Sequence, residues 1–187
     1  AIGQQALSTQ TDGDHNIGIG YSTGISIAGG SYNIAIGNSA MVYTDNTGDN
    51  NIGIGNSALR GTDGTALAGA ENIGIGKAAG LLLHSGAHSN VFIGTSSGDV
   101  ATEAVENTCL GHNCDIQDAT ATNQIVIGNN ITGTADNAIH IGNDTSHIRC
   151  DFNADQTWDA SSDRRQKKDI IESTIGLAFV NDLKPSK

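Results

Sequence analysis

The chain has one proline in 187 residues, one tryptophan, three tyrosines and three phenylalanines, so aromatics make up only 4%. Without proline, its turns have to be made by Gly, Asn, Asp and Ser. Without large rings, few side chains are big enough to fill a thick core. Basic residues are scarce as well. Residues 1–150 hold only Arg60, Lys77 and Arg149 against thirteen acidic residues, a balance of −10 within a whole-chain net charge of −11. A phosphate-binding face needs the opposite sign, so nucleic acid is not an expected partner, and the acidity serves solubility. No apolar run approaches the ~18 residues of a membrane span and no signal peptide opens the chain, so membrane insertion is not expected. Cys109, Cys114 and Cys150 are too few and too scattered for a disulfide framework, and Cys109-x4-Cys114 lacks a second ligand pair for zinc; reduced, cytosolic synthesis fits. Charged residues reach only 16% against 37% hydrophobic, which argues for a folded chain over a disordered one. The 25 glycines follow no three-residue period, which excludes collagen.

What the chain does have is one nonapeptide spelled repeatedly: "NIGIGYSTG" from Asn16, "NIAIGNSAM" from Asn33 and "NIGIGNSAL" from Asn51. The glycine that ends each unit recurs as Gly3, Gly20, Gly37, Gly55, Gly76, Gly94, Gly111, Gly128 and Gly142, at spacings of 17, 17, 18, 21, 18, 17, 17 and 14. A fixed strand with a variable loop accounts for this better than a helical repeat of rigid length. The opening "AIGQQAL" already lies inside a unit, which reads as a segment of something longer.

Each unit is Asn-apolar-x-apolar-Gly, with pairs such as Ile17/Ile19, Ile52/Ile54, Val91/Ile93 and Ile139/Ile141; the unit ending at Gly111 keeps only Leu110, with Thr108 at the other site. β-branched residues two apart share one side of a strand, and the residue between them points the other way. A helix is excluded by the period of two and the recurrent glycine. The middle residue is small at first (Gly18, Ala35, Gly53, Gly74) and later Phe92, Cys109, Val126 and His140. Small residues there predict a second backbone close behind the strand. The leading asparagines, Asn16, Asn33, Asn51, Asn72, Asn90 and Asn107, predict an amide ladder, and small pairs after the glycine, such as Ser57-Ala58, predict a tight corner. The fold class is therefore all-β, a parallel β-solenoid with one short strand per coil and coils about 4.8 Å apart. Thin coils bury little, so further burial between chains is expected, around an axis lined by the small middle residues.

"NIAIGNSA" and "NIGIGNSA" resemble the head repeats of trimeric autotransporter adhesins, and similar repeats occur in collar and tip regions of phage tail fibres. In the adhesin heads such repeats form a left-handed parallel β-roll of three chains side by side. The resemblance covers residues 1–142 and implies a homotrimer. The coils here run longer than is usual in those heads.

Several other patterns lack the context that their chemistry needs. "GIGNSA" and "GIGKAA" match a dinucleotide fingerprint but recur without helices. Gly76-Lys77 ends like a P-loop, yet Ala78 replaces the required Ser/Thr and Glu71 stands where the first glycine belongs. No histidine pair among His15, His84, His88, His112, His140 and His147 has zinc-protease spacing; His140 alone, between Ile139 and Ile141, has a position from which three copies would meet on an axis. Tyr21, Tyr32 and Tyr43 form either a sugar-stacking stripe or loop fillers. No carboxylate pair is spaced for glycoside hydrolysis. No cofactor and no metal is expected.

From His147 the text changes. Ile148, Cys150 and Phe152 alternate and predict one more strand. The run Arg164, Arg165, Lys167, Lys168 is flanked by Asp163 and Asp169, the pattern of a solvated charged turn. The stretch "SSDRRQKKDI" resembles the junction of the intramolecular chaperone found on phage endosialidases, tail spikes and L-shaped tail fibres, and the later "LAFVNDLKP" resembles that family's following helix and turn. There a Ser-Asp-x-x-x-Lys core self-cleaves immediately before the Ser. The resemblance implies Ser162 as nucleophile, Lys167 as base, Asp163 as a matching motif residue and a cut between Ser161 and Ser162. Ser needs a base to take its proton, and Lys acts as one only when burial or nearby positive charge lowers its pKa. Five residues on one helix would set the two side chains about 140° apart, so Ser162 belongs in an extended segment with Lys167 past a turn. Ile171, Ile175, Ala178/Phe179 and Leu183 recur at helical spacing and predict a helix over 175–183, capped by Ser173 or Thr174.

Three regions follow: a repeat solenoid over 1–146, a connecting strand and linker over 147–161, and the truncated start of a chaperone domain over 162–187. The resemblances imply the structural and receptor-binding tip of a phage tail fibre, made in the host cytoplasm and carried in the virion. Its partner would be a host-surface glycan or outer-membrane protein, met by the loops Gly61 to Glu71 and Leu81 to Ser89. A C-terminal trimeriser would fix coil register before the solenoid zips, and its removal would leave a fibre held by its unfolding barrier. No turnover on an external substrate is expected. The head of a bacterial trimeric adhesin and a glycan depolymerase with an inter-chain site are the alternatives. With most of the chaperone outside this sequence, the 161–162 bond is expected to stay whole here.

Overall fold

The computed structural model describes residues 1–25, 27, 29–42, 48–62 and 69–153, and the backbone of 159–160. Its strands, in chain order, are β1 (Ile17–Ile19), β2 (Ile34–Ile36), β3 (Ile52–Ile54), β4 (Ile73–Ile75), β5 (Val91–Ile93), β6 (Thr108–Leu110), β7 (Cys114–Asp115), β8 (Gln124–Asn129), β9 (Ile131–Thr132), β10 (Ala138–Asn143), β11 (Ser146–Asp151) and β12 (Asp159–Ala160). Among the described residues there is no helix. The helix expected over 175–183 lies outside them.

β1 to β6, β8 and β10 stack in parallel, in that order, as one sheet, and β7 pairs with β9 beside it. The register joins Ile17 to Ile34, Ile34 to Ile52, Ile52 to Ile73, Ile73 to Val91, Val91 to Thr108, Thr108 to Ile125 and Ile125 to Ile139. Each step therefore equals the spacing between the terminal glycines of the two units. The chain is a parallel β-solenoid whose loops absorb every difference in repeat length. Ile2 extends the ladder below β1 through a parallel bridge to Ile19.

The isoleucine pairs face outward and are only partly covered, while the middle residue of each strand is buried. This corrects the expected axis of small middle residues: they line the coil's own interior. The reason is steric. The space that a Cβ on Gly18 would need is held by Leu7, that on Gly53 by Met41, and that on Gly74 by Leu59. Each of these large side chains comes from the corner of the preceding coil, four residues after its terminal glycine. Where the strand residue is itself large, as at Phe92, the corners are Gly80 and Gly98, whose own Cβ positions would meet the ring. Volume is exchanged between strand and corner, so every coil stays filled despite the shortage of aromatics. His140 follows the same rule. It is fully buried in the coil, with Nε2 2.9 Å from the Thr134 hydroxyl, so it is not on an inter-chain axis.

The predicted amide ladder is present. Asn33, Asn51, Asn72, Asn90 and Asn107 are fully buried. The Oδ1 of each accepts the backbone N–H of the residue one coil on: Asn51 on Asn33 at 2.9 Å, Asn72 on Asn51 at 3.0 Å, Asn90 on Asn72 at 3.2 Å and Asn107 on Asn90 at 3.0 Å. Each side-chain amide also donates to a carbonyl of the coil above, as Asn72 Nδ2 does to Ala87 O at 2.9 Å. Gln124 N–H closes the series on Asn107 Oδ1 at 2.9 Å. The terminal glycines answer to the same close stacking. Gly76 sits at φ +132°, and a Cβ there would strike the carbonyl of Gly94, its counterpart one coil on.

Corners carry a backbone feature that has no glycine signature. The residue before each ladder asparagine, such as Tyr32, Asn50 or Glu71, has a positive φ, and so does the second residue after each terminal glycine from Gly3 to Gly128, such as Ser57 or Ala78. Such conformations cost about 1–2 kcal/mol for an L-residue. Their N–H groups donate to the coil below: Tyr32 to Asp14 O, Glu71 to Asp49 O and Ala78 to Asn56 O, at 3.0, 3.0 and 2.9 Å.

The strand expected from Ile148, Cys150 and Phe152 is β11. It turns back antiparallel on β10, with Ile139 opposite Cys150 and Asn143 opposite Ser146. The turn is fixed by Asn143 Oδ1, which accepts from Thr145 N, Thr145 Oγ1 and Ser146 N at 3.0, 2.9 and 2.8 Å. β11 thus covers the last edge of the parallel stack, and β12 pairs antiparallel on it through Ile148↔Ala160.

Candidate functional site

The outward side of the sheet is the longest continuous feature of the described chain. It consists of two columns of Ile and Val side chains, from Ile17 and Ile19 at one end to Ile139 and Ile141 at the other, interrupted only in β6 by Thr108 and Leu110. Ile17 is 46% exposed and Leu110 37%. Most of the others are half-buried, because each is shielded by its like neighbour about 4.8 Å above and below. At the strand C-termini runs a column of exposed polar residues that includes Tyr21, Asn38, Asn56, Lys77 and Asn129.

The expected tyrosine stripe does not form from Tyr21 and Tyr32. Tyr21 follows β1 and Tyr32 precedes β2, so they lie at opposite ends of parallel strands. Tyr32 stacks face to face on His15 of the coil below, with ring centroids 4.8 Å apart and planes 4° apart. Tyr43 lies outside the described residues, as do 63–68 of the loop Gly61 to Glu71. The segment Leu81 to Ser89 forms part of a coil wall: Leu83 and Ala87 are fully buried, His84 N–H donates to Thr102 O at 3.0 Å, and His88 bridges in parallel to Val105. His84 Nδ1 stands 3.9 Å from Glu103 Oε1. A surface recess of about 420 Å³ opens where β8 and β10 end, lined by Asn129, Asn130, Asn143, Asp144 and Thr145. Its walls are amides, a hydroxyl and a carboxylate, with no apolar platform.

Two clusters of ionisable groups lie at the corner beside β7. Cys109 and Cys114 are both fully buried thiols of one coil; hydrogen bonding between them and burial hold the Cys109 thiol far up. Asp115 follows, and Asp99 lies beneath it, because Gly98 N–H donates to Cys114 O at 2.9 Å. Burial, and then the facing Asp99 carboxylate, push the Asp115 carboxyl up to about 7. Asp115 Oδ1 is buried with no hydrogen-bond partner among the described residues. The spacing of Cys109 and Cys114 was visible in the sequence, but the Asp99–Asp115 pair was not legible, since the two are sixteen residues apart and their contact depends on coil length. In His140 the imidazolium is disfavoured by burial, then by the charges of Arg149 and His147.

Ser161, Ser162, Asp163 and Lys167, the residues expected to carry self-cleavage, lie outside the described residues. The last described pair, Asp159 and Ala160 of β12, ends one residue before Ser161. Comparison with protein-family models, with curated proteins and with solved structures returned no match.

Proposed function

We propose that this chain is the structural and receptor-binding tip region of a phage tail fibre, working as a homotrimer and ending in the self-cleaving junction of an intramolecular chaperone. The observation that carries this reading is the solenoid itself: single three-residue strands stacked in strict register, a rod that presents corners and loops along its length. Such a rod suits load-bearing display, because each coil is tied to the next by one continuous parallel ladder. The recess at Asn129 and Asn143 and the exposed Tyr21 and Tyr32 are the first places to look for contact with a host glycan or outer-membrane protein.

At the junction, the Ser162 Oγ would attack the Ser161 carbonyl carbon while Lys167, as the neutral amine, takes the hydroxyl proton. The Ser161–Ser162 amide breaks, the Ser162 amine leaves with a proton returned from Lys167, and water hydrolyses the resulting ester. Arg164, Arg165 and Lys168 would favour the neutral amine by like-charge repulsion. The test is intact mass of the full-length gene product, wild type beside Ser162→Ala. Scission after Ser161 in the wild type, abolished by the substitution, supports the reading. A wild-type product that stays whole, or one cut elsewhere, rejects it.

A further inference from the structure

We propose that Cys109 and Cys114 form a redox site: a thiol pair that closes to a disulfide across the inside of one coil, by exchange with a small-molecule disulfide. The inference stands apart from the tail-fibre reading and rests on where the coil puts the two residues. Cys109 is the middle residue of β6 and points into the coil; Cys114 opens β7 at the corner that follows. Both side chains are fully buried, and the two thiols are in hydrogen-bonding contact. Coil geometry explains the meeting. Cys109 lies two residues before Gly111 and Cys114 three residues after it. In other coils the same two places hold Gly53 and Ala58, or Gly74 and Ala79. A Cβ on Gly53 would stand 3.2 Å from the Ala58 carbonyl oxygen, and one on Gly74 2.9 Å from that of Ala79. Strand and corner therefore run within the reach of a disulfide, whose Cα atoms lie about 4.4–6.8 Å apart.

This is the one coil in which both places carry a thiol; the coils on either side hold Phe92 with Ser97, and Val126 with Ile131. Cys114 Sγ donates to Val126 O of the next coil at 3.1 Å, just as Ser97 Oγ donates to Cys109 O at 3.1 Å. A serine therefore serves for that bond, which does not itself call for sulfur. With neither thiol exposed, a small molecule cannot reach the pair in the closed coil, and exchange takes place when the corner at Cys114 and Asp115 opens. The Cys114 thiolate attacks one sulfur of the small disulfide, giving a mixed disulfide and releasing one small thiol. The Cys109 thiolate then attacks the Cys114 sulfur and expels the second. The chain gives up two protons and two electrons, and the small disulfide takes them up as it is reduced to two thiols. Closure removes Cys114 Sγ from Val126 O, which loses only a weak S–H donor, and ties β6 to the corner of its own coil.

The probe is oxidised glutathione. The whole chain is held with and without it at mildly alkaline pH, in urea just below the unfolding midpoint, then denatured, alkylated and digested with trypsin. Cleavage after Lys77 and Arg149 leaves Cys109 and Cys114 together in 78–149 and Cys150 alone in 150–164. Alkylation of 78–149 is expected to fall from two groups to none, with a loss of about 2 Da and no glutathione attached. In Cys114→Ser, Cys109 should instead carry either an alkyl group or glutathione, because no second thiol is left to displace it. The bridged wild type should keep its strand circular dichroism and unfold at a higher urea concentration than the reduced chain, and dithiothreitol should reverse that shift. Alkylation that stays at two groups, or glutathione that persists on 78–149 of the wild type, overturns the proposal. A bridged chain that loses its strand signal or unfolds at lower urea also overturns it, since the bond would then not fit the native coil.

Discussion

Replacing Asn72 by Ala should cost more than any ordinary surface change, and the cost can be worked from its bonds. Asn72 Oδ1 accepts from Asn90 N at 3.2 Å and from Asn90 Nδ2 at 2.9 Å. Its own Nδ2 donates to Asn51 Oδ1 at 3.2 Å, Ala70 O at 3.2 Å and Ala87 O at 2.9 Å. Truncation leaves the Asn90 backbone N–H without its acceptor and removes a donor from Ala87 O. Asn51 Oδ1 keeps the Asn72 backbone N–H, and Asn90 Nδ2 keeps His88 O and Ala104 O. Two buried backbone groups are therefore stranded, at about 1–3 kcal/mol each, for a loss of about 2–6 kcal/mol before the emptied volume is counted. Asn16→Ala, at the first rung of the ladder, removes the acceptor of the Asn33 N–H at 2.8 Å and the donor to Gly30 O at 2.7 Å, but Asn16 is itself part-exposed, so the vacated site opens to water and a smaller loss of about 1–3 kcal/mol is expected. Urea unfolding at one fixed protein concentration, with m-values compared, measures both. Equal costs at Asn72 and Asn16, or a cost below about 1 kcal/mol at Asn72, would refute the claim that the amides satisfy buried backbone groups coil by coil.

Three further outcomes follow from the packing and the charges. Gly74→Ala would put its Cβ 2.8 Å from Leu59 and 2.9 Å from the Ala79 carbonyl, so about 1–3 kcal/mol of overpacking is expected; adding Leu59→Val should recover part of it, and strictly additive unfolding energies would contradict the volume exchange. Gly76→Ala sets a methyl against the Gly94 carbonyl at a φ of +132°, and soluble, folded chain should fall sharply on expression. Asp115 holds its proton more tightly folded, with a pKa raised to about 7, than unfolded, near 3.9. Its contribution to stability is therefore complete below pH ~4 and is lost as pH rises through about 7. Asp115→Asn should flatten this decline and stabilise the chain at pH 8, as thermal melts across pH 5–8 would show; an unchanged pH profile would count against the Asp99–Asp115 pairing.

Strand positions were readable because their signal is local. Two β-branched residues flanking one middle residue fix which side chains share a face, and a recurrent Asn at one offset has to stack when coils stack. The glycine spacings became the register itself, since a parallel solenoid has no other way to align identical strands. Less could be read of the clusters. The contact between Asp99 and Asp115, and the stacking of His15 on Tyr32, depend on how many residues each loop spends before the chain returns.

By itself, the sequence determined an all-β chain of single short strands, their parallel stacking, the asparagine ladder and one extra strand after the repeats. Tertiary structure alone decided which way the strands face. Period two says that Ile52 and Ile54 oppose Gly53, but it does not say which side is inside. That depended on whether the corner of the coil below supplied a side chain to fill the gap, and Met41 does. The left-handed backbone at Tyr32, Glu71 and Ala78 was likewise settled by tertiary contact, because only the carbonyls of a neighbouring coil offset the cost of placing an ordinary residue there.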